Sequence, residues 1–312
     1  MKISVVIPLL NEHENLPLLM HALSDVLNVQ NAAWEVVFID DGSTDGSFEV
    51  LTAIYADYKA HEKGSVSVIR FARNYGKSAA LSVGIAQATG DVIITMDADL
   101  QDDPQAIPDL LKKISEGYGV VSGWKKVRHD PLSKTLPSKV FNGFTTLLSG
   151  LKLHDFNCGF KAYTQAAAKS LEIYGERHRY LPVLAFWNGF TVTEVVVPHH
   201  PRKFGKSKFG LGRATGMFDI VTLVFLRKYL RKPLHFFGLI GILFALLGTS
   251  VLGYFGVEWI ITGSMHLRPL VLLSIGAIIM GIQFVSIGLV GEMIINTSPK
   301  QNYQIRQTLA MA

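Results

Sequence analysis

The apolar run Ile93-Ile94-Thr95-Met96 ends in Asp97-Ala98-Asp99-Leu100-Gln101-Asp102-Asp103-Pro104, four carboxylates within seven residues. Carboxylates this close resist ionising together unless a cation or water offsets their charge. Hard divalent ions take oxygen ligands, and Mg2+ or Mn2+ is commonly held by one or two carboxylates plus a substrate's phosphates. An Asp-X-Asp at the carboxyl end of a strand lies where α/β sheets present their ligand site. The same residues also read as a solvated loop and a helix capped at Asp102 or Asp103, with Pro104 in the first turn. The rest of the chain decides between the two.

Within residues 1–123, strand patterns at 3–10, 34–40, 66–71, 91–96 and 120–123 alternate with helical patterns near 13–28, 44–62, 76–88 and 104–117. This alternation predicts an α/β domain with a largely parallel sheet covered on both faces, its strand ends converging on one edge. Each end carries polar chemistry. Pro8-Leu9-Leu10-Asn11-Glu12 breaks the first strand before a helix. Asp40-Asp41-Gly42-Ser43-Thr44 follows the second, where Gly42 permits a turn and Ser43 or Thr44 can cap the next helix. Arg73-Asn74-Tyr75-Gly76-Lys77 is a basic loop suited to a diphosphate, and Asp97/Asp99 is the fourth.

These four, in order and spacing, resemble family 2 glycosyltransferases of the GT-A fold (Rossmann-like, mostly parallel sheet). More narrowly they are similar to the polyprenyl-phosphate glycosyltransferases, the group of dolichyl-phosphate mannose synthase and bactoprenol glucosyltransferases. The resemblance implies that Pro8, Asn11, Glu12, Asp40, Asp41, Lys77, Asp97 and Ala98 shape a nucleotide pocket, and that Asp97 and Asp99 bind Mg2+ or Mn2+. Trp124-Lys125-Lys126-Val127-Arg128-His129-Asp130 stands where that group shows two arginines near an aspartate, with Lys125 in one arginine's place. His154-Asp155-Phe156-Asn157-Cys158-Gly159-Phe160-Lys161 resembles its acceptor-side motif, and His199 to Gly210 resembles its basic loop. The implied phosphate-holding set is Lys125, Arg128, Arg202, Ser207 and Lys208; Asp155, Asp97, Arg128, Arg202 and Lys208 are the implied catalytic residues. Asp155 reads as a base, as a residue that orients a sugar hydroxyl or a basic side chain, or as a helix-cap or turn residue; a phosphate monoester with a second pKa of about 6 needs positioning more than deprotonation at neutral pH.

Charge is split along the chain. Residues 1–110 hold 16 Asp and Glu against 6 Lys and Arg, and residues 111–233 hold 7 against 21. An acidic metal-and-nucleotide half joined to a basic half suits an anionic surface. The segments around and beyond Lys232 favour lipid over nucleic acid as that surface. Residues 213–233 read as an amphipathic juxtamembrane helix, and stretches at 234–262 and 269–295 are each long and apolar enough to span a bilayer. Basic residues before the first stretch, with Arg268 alone between the two, put both termini in the cytoplasm by the positive-inside rule. Gly238, Gly241, Gly248, Gly276, Gly281 and Gly288 permit close helix packing, within one chain or in a homo-oligomer.

The start reads as a strand and not as a signal peptide, the single cysteine, Cys158, excludes an internal disulfide framework, and His199-His200 lack the companions of a zinc site. The expected organisation is a cytoplasmic catalytic domain over 1–212, an interfacial helix over 213–233, two transmembrane helices over 234–298 and a cytoplasmic tail over 299–312. The expected reaction is inverting transfer of one sugar, by resemblance UDP-linked, to polyprenyl (undecaprenyl) phosphate at the plasma membrane. A processive polysaccharide synthase is the nearest rival, but the Gln-X-X-Arg-Trp signature precedes none of Trp34, Trp124, Trp187 or Trp259. A non-catalytic nucleotide-sugar or lipid-binding protein is the rival of a different class.

Overall fold

The computed structural model describes residues 1–58, 64–126, 132–202, 204, 220–225, 227, 232–263 and 269–296, with the backbone alone over 132–140 and 295–296. The chain divides into two compact units, Met1–Ile220 and Val221–Ala312.

The first unit is built on strands β1 (Lys2–Leu9), β2 (Ala33–Asp40), β3 (Gly64–Arg70), β4 (Val92–Thr95), β5 (Val120–Trp124), β6 (Lys161–Thr164) and β7 (Val192–Val196). They form one sheet in the order β3-β2-β1-β4-β6-β5-β7. Around it lie helices α1 (Leu16–Val29), α2 (Ser47–Tyr58), α3 (Lys77–Gln87), α4 (Ile107–Ser115), α5 (Leu132–Ser149), α6 (Gln165–Lys169) and α7 (Leu181–Trp187). Successive side chains of β1 point to opposite faces, and both faces are covered. Ile3, Val5 and Ile7 pack with Leu16, Leu19, Leu23 and Leu27 of α1, while Val6 packs on Ala80, Leu81 and Ile85 of α3. Each such leucine contributes roughly 1.5–3 kcal/mol through burial, so α1 is held by its apolar stripe.

The five strands expected from the sequence are present. The sheet also contains β6 and β7, which lie beyond the strand patterns read within residues 1–123. All neighbours pair in parallel except β6, which runs antiparallel to both β4 and β5. This reversal has a positional effect. Parallel strands deliver their ends to the sheet's carboxyl edge, whereas β6 delivers its beginning, with Lys161 opposite Thr95. Residues 155–160 therefore arrive beside the Asp97 loop.

In the second unit, α8 (Pro233–Thr262) and α9 (Pro269–Asn296) are long and apolar enough to cross a membrane, and only 17% and 11% of their most apolar windows are buried. A core helix of a soluble domain would be largely covered. The two run antiparallel in backbone contact: a Cβ on Gly241 would stand 2.6 Å from the Gly281 carbonyl oxygen, and one on Gly248 2.5 Å from that of Ser274. Gly288 packs against Leu234 in the same seam, whereas Gly238 meets only its own helix and Gly276 meets nothing within 4 Å. Of the expected juxtamembrane helix, residues 220–225 are helical; most of the remainder lies outside the described residues.

Candidate active site

The strand ends meet at the carboxyl edge, where two cations already sit on the acidic pair. Lys77, at the start of α3, places its Nζ 2.5 Å from Asp97 Oδ1. Arg202 places Nη2 2.6 Å from Asp99 Oδ2 and Nη1 3.5 Å from Glu12 Oε1. The route that brings Arg202 here is visible in the backbone. His199 bridges Asp102, the His200 N–H donates to the Gln101 carbonyl at 2.9 Å, and His200 Nε2 lies 3.1 Å from Asp103 Oδ2. The segment after β7 thus zips onto the acidic loop and ends with a guanidinium on Asp99.

The two carboxylates differ electrostatically. Burial works against ionising Asp97, but the Lys77 ammonium overcomes it, with Lys125 and Lys161 adding, and holds the carboxyl below its ordinary pKa. Asp99 is pushed up to about 6 by burial first and then by the charge of Asp97, against the pull of Arg202. A carboxylate whose ionisation is opposed by burial and by Asp97 more than Arg202 offsets suits a divalent ion. Among the described residues no three potential metal ligands cluster, so Asp97 and Asp99 would supply two oxygens and a bound diphosphate the rest. The residues fit such an ion on those terms.

The backbone around the pair is unusually constrained. Leu100 adopts φ 58°, a left-handed conformation that costs a branched residue about 1–2 kcal/mol. A Cβ on Gly159 would lie 2.7 Å from Asp97 Oδ2, so only glycine lets this loop press against the carboxylate. Thr95 holds the loop there by donating its hydroxyl to the Gly159 carbonyl at 2.8 Å. Asp103 caps the turn at Pro104 by accepting from the Gln105 N–H. The capping reading and the ligand reading are thus satisfied by different residues of one loop.

Across the edge, the other expected nucleotide-pocket residues lock loops together. Asn11, at φ 51°, donates its N–H to Ser43 Oγ and accepts the Thr44 N–H, both at 2.8 Å. Asp40 accepts the Ser43 N–H at 2.8 Å and faces Arg70 Nε at 3.4 Å. Asp41 accepts the Tyr75 and Gly76 N–H groups at 2.6 and 2.9 Å. Gly42 lets the 73–74 backbone cross above it, where a Cβ would meet Arg73 at 2.7 Å. Pro8 lies in β1 opposite Ile39, and Ala98 is buried between the two aspartates.

The phosphate-holding set is divided. Arg202 is at the acidic pair. Lys125 is instead 2.7 Å from Asp102, whose side chain is fully buried, and the attraction of Asp102 outweighs the cost of burial to raise the lysine's pKa. Arg128, Ser207 and Lys208 lie outside the described residues. Asp155 is buried and accepts the Asn157 N–H at 3.1 Å, a turn-forming contact. Cys158 is buried, which pushes its thiol up to about 12 and leaves it unreactive.

Sequence reasoning missed Lys161 and His178. Both border a recess beside Asp97. His178 reaches it from the 3-10 turn Arg177–Tyr180 before α7, through a 2.9 Å contact between its Nδ1 and Ser78 Oγ. No periodicity or local motif marks a contact made across so long a stretch of chain.

Residues 4–171 match the family described as Glycosyl transferase family 2. Over 98% of its length the chain is 31% identical to a dodecaprenyl-phosphate galacturonate synthase of Rhizobium johnstonii, covering 93% of that protein. Over 94% of its length it is 35% identical to an undecaprenyl-phosphate 4-deoxy-4-formamido-L-arabinose transferase of Yersinia pestis, covering 88%. The fold is similar to that of glucosyl-3-phosphoglycerate synthase from Mycobacterium tuberculosis, crystallised with Mn2+, UDP-glucose and glycerol 3-phosphate. The TM-score is 0.52 at 19% identity, over 72% of this chain and 79% of that one. At that identity the likeness bears on the fold alone, and the fold is GT-A.

Proposed function

Because this chain belongs to glycosyl transferase family 2, we propose that it transfers one sugar from a nucleotide donor, UDP-linked, to polyprenyl phosphate at the cytoplasmic face of a membrane. The observation that carries the reading is the acidic pair at the carboxyl edge, matched by Lys77 and Arg202, in a chain that also bears two apolar helices. Relatives named for dodecaprenyl- and undecaprenyl-phosphate transfer, matched over nearly the full length, support the acceptor class.

The reaction is an in-line displacement at the anomeric carbon. A phosphate oxygen of the acceptor forms the new bond to that carbon, and the bond to the donor's β-phosphate oxygen breaks with inversion. Asp97 and Asp99 would hold the Mg2+ or Mn2+ whose charge offsets that gathering on the leaving nucleoside diphosphate. Lys77 at Asp97 and Arg202 at Asp99 and Glu12 are the cations placed to receive phosphate oxygens. The acceptor is largely dianionic at neutral pH, so the protein's task is to hold it rather than deprotonate it. Asp155, already engaged in a turn, positions the loop before β6 on this reading. The helices α8 and α9 confine the enzyme to the surface that carries its lipid substrate, with both ends of the pair on the cytoplasmic side.

The test is a donor screen with the purified full chain in detergent, undecaprenyl phosphate, and Mn2+ or Mg2+. A new glycolipid with release of nucleotide from one donor is the expected result, and Asp99→Ala should abolish it while the protein stays folded. Metal-dependent nucleotide binding without turnover on any donor would favour a binding protein, and no nucleotide binding at all would overturn the reading.

A further inference from the structure

Ser274, Gly281 and Gly288 of α9 face α8 in the seam. An α-helix turns about 100° per residue, so residues two places further along stand about 200° round, on the side turned away from α8. Gly276, Gln283 and Val290 occupy that side. A Cβ on Gly276 would meet nothing within 4 Å, and Gln283 and Val290 are exposed. Leu272 and Ile279, 58% and 54% exposed, flank them, and Ser286 continues the flank. The face repeats every seven residues, the period on which parallel helices mesh.

Gln283 is the residue that this face cannot leave to lipid. It stands midway along the 28-residue α9, about 20 Å from either end, which is the centre of the hydrocarbon for a helix that crosses it. Its amide carries two N–H donors and an acceptor oxygen, and it has no hydrogen-bond partner among the described residues. The neighbouring hydroxyls differ. Ser286 donates to the Ile282 carbonyl at 2.9 Å and Ser274 to the Leu270 carbonyl at 2.6 Å, so each is satisfied within its own helix. Acyl chains offer the Gln283 amide nothing, and leaving it unmet there is costly.

We infer that this face of α9 packs against the same face of α9 in a second copy of the chain, with the two Gln283 amides hydrogen-bonded to each other. The inference rests on the reading of α8 and α9 as membrane spans. Copies inserted in one orientation hold Gln283 at one depth, so the helices meet in parallel with like residues opposed. An amide is both donor and acceptor and is therefore complementary to itself. A single polar residue at a core position of a seven-residue repeat fixes register and the number of helices. Gly276, two turns before it and without a side chain, lets the backbones approach closely.

The experiment uses full chains. Oxidative cross-linking in native membranes compares Val290→Cys with Leu246→Cys, a 59% exposed position on α8. The native Cys158 is buried, so wild type is the blank. Light scattering of the purified protein across a dilution series in mild detergent gives the dissociation constant. Val290→Cys should cross-link to a second copy and Leu246→Cys should not. Gln283→Leu should raise the dissociation constant on the order of tenfold, and Gln283→Asn, which keeps an amide, should recover part of that loss. Ser286→Ala, on the same face but bonded within its own helix, should match wild type. A wild type that is monomeric at every concentration would overturn the inference. So would cross-linking from α8 and not from Val290→Cys, capture of a different membrane protein by Val290→Cys in place of a second copy, or a Gln283→Leu variant that dissociates no more readily than wild type. Release of the wild type from membranes by alkaline carbonate refutes the spanning reading, and this interface with it, before any variant is made.

Discussion

Replacing Asp99 with asparagine should make the metal-free protein more stable while removing its response to metal. The Asp99 carboxyl has a folded-state pKa of about 6 against an ordinary 3.8, and its side chain is 13% exposed. Ionisation is therefore harder in the folded protein than in the unfolded chain. Stability falls as pH rises from about 4 to about 6, and the full cost remains above that window. Two pKa units correspond to about 3 kcal/mol. Asparagine resembles the protonated acid: it keeps an oxygen for the Gln101 N–H and leaves Arg202 to Glu12. At pH 7.5 in EDTA, Asp99→Asn should gain about 2–3 kcal/mol, or roughly 5–10 °C for a unit of this size. The advantage should vanish below about pH 4. Thermal unfolding of the full chain in detergent, followed by tryptophan fluorescence across pH, measures the gap. Adding Mn2+ and UDP should raise wild type and leave the variant where it was. A variant less stable than wild type at pH 7.5, or a gap that does not change with pH, would refute the argument.

Gly159→Ala drives a methyl to 2.7 Å from Asp97 Oδ2; transfer should drop on the order of a hundredfold, with the fold retained by circular dichroism. Lys125→Met strands the buried Asp102 carboxylate and should cost about 3–5 kcal/mol in a denaturant titration; Lys125→Met with Asp102→Leu should recover much of that loss, whereas an effect on acceptor KM alone would return Lys125 to the phosphate site. Gly281→Leu overpacks the seam against Gly241 and should weaken the helix pair by about 1–3 kcal/mol in SDS titration, while Gly276→Leu, with open space around it, should leave it unchanged.

Much of the catalytic edge was legible because its chemistry is local. β1, β2 and β4 are apolar on both faces, so they read as continuous runs, and Asn11, Asp41 and Asp97 come within two residues of their ends. β6 escaped because it spans four residues and begins with a lysine, a residue that argues against a central strand until Cys158 supplies an acceptor. β7 escaped because most of its side chains are only half-buried at the sheet's edge. The basic loop holding Arg202 was recognisable from its composition. That its guanidinium reaches Asp99 depends on the bridge between Asp102 and His199, a pairing set by the order of strands. His178 was invisible for the same reason, since only the folded packing of α3 brings Ser78 to it.

The seam between α8 and α9 bears on the thickness of the bilayer this protein can occupy. At 30 residues, α8 is about 45 Å long, against a hydrocarbon core of about 30 Å. With both helices crossing the membrane as proposed, the surplus has to be absorbed by tilt or by residues standing in the headgroup layer. Carbonyl oxygens lying against glycines on the opposite helix leave no room for one helix to slide or lean alone. The pair therefore meets a thinner or thicker bilayer as a single body, and acyl-chain length becomes a variable that acts on both helices at once.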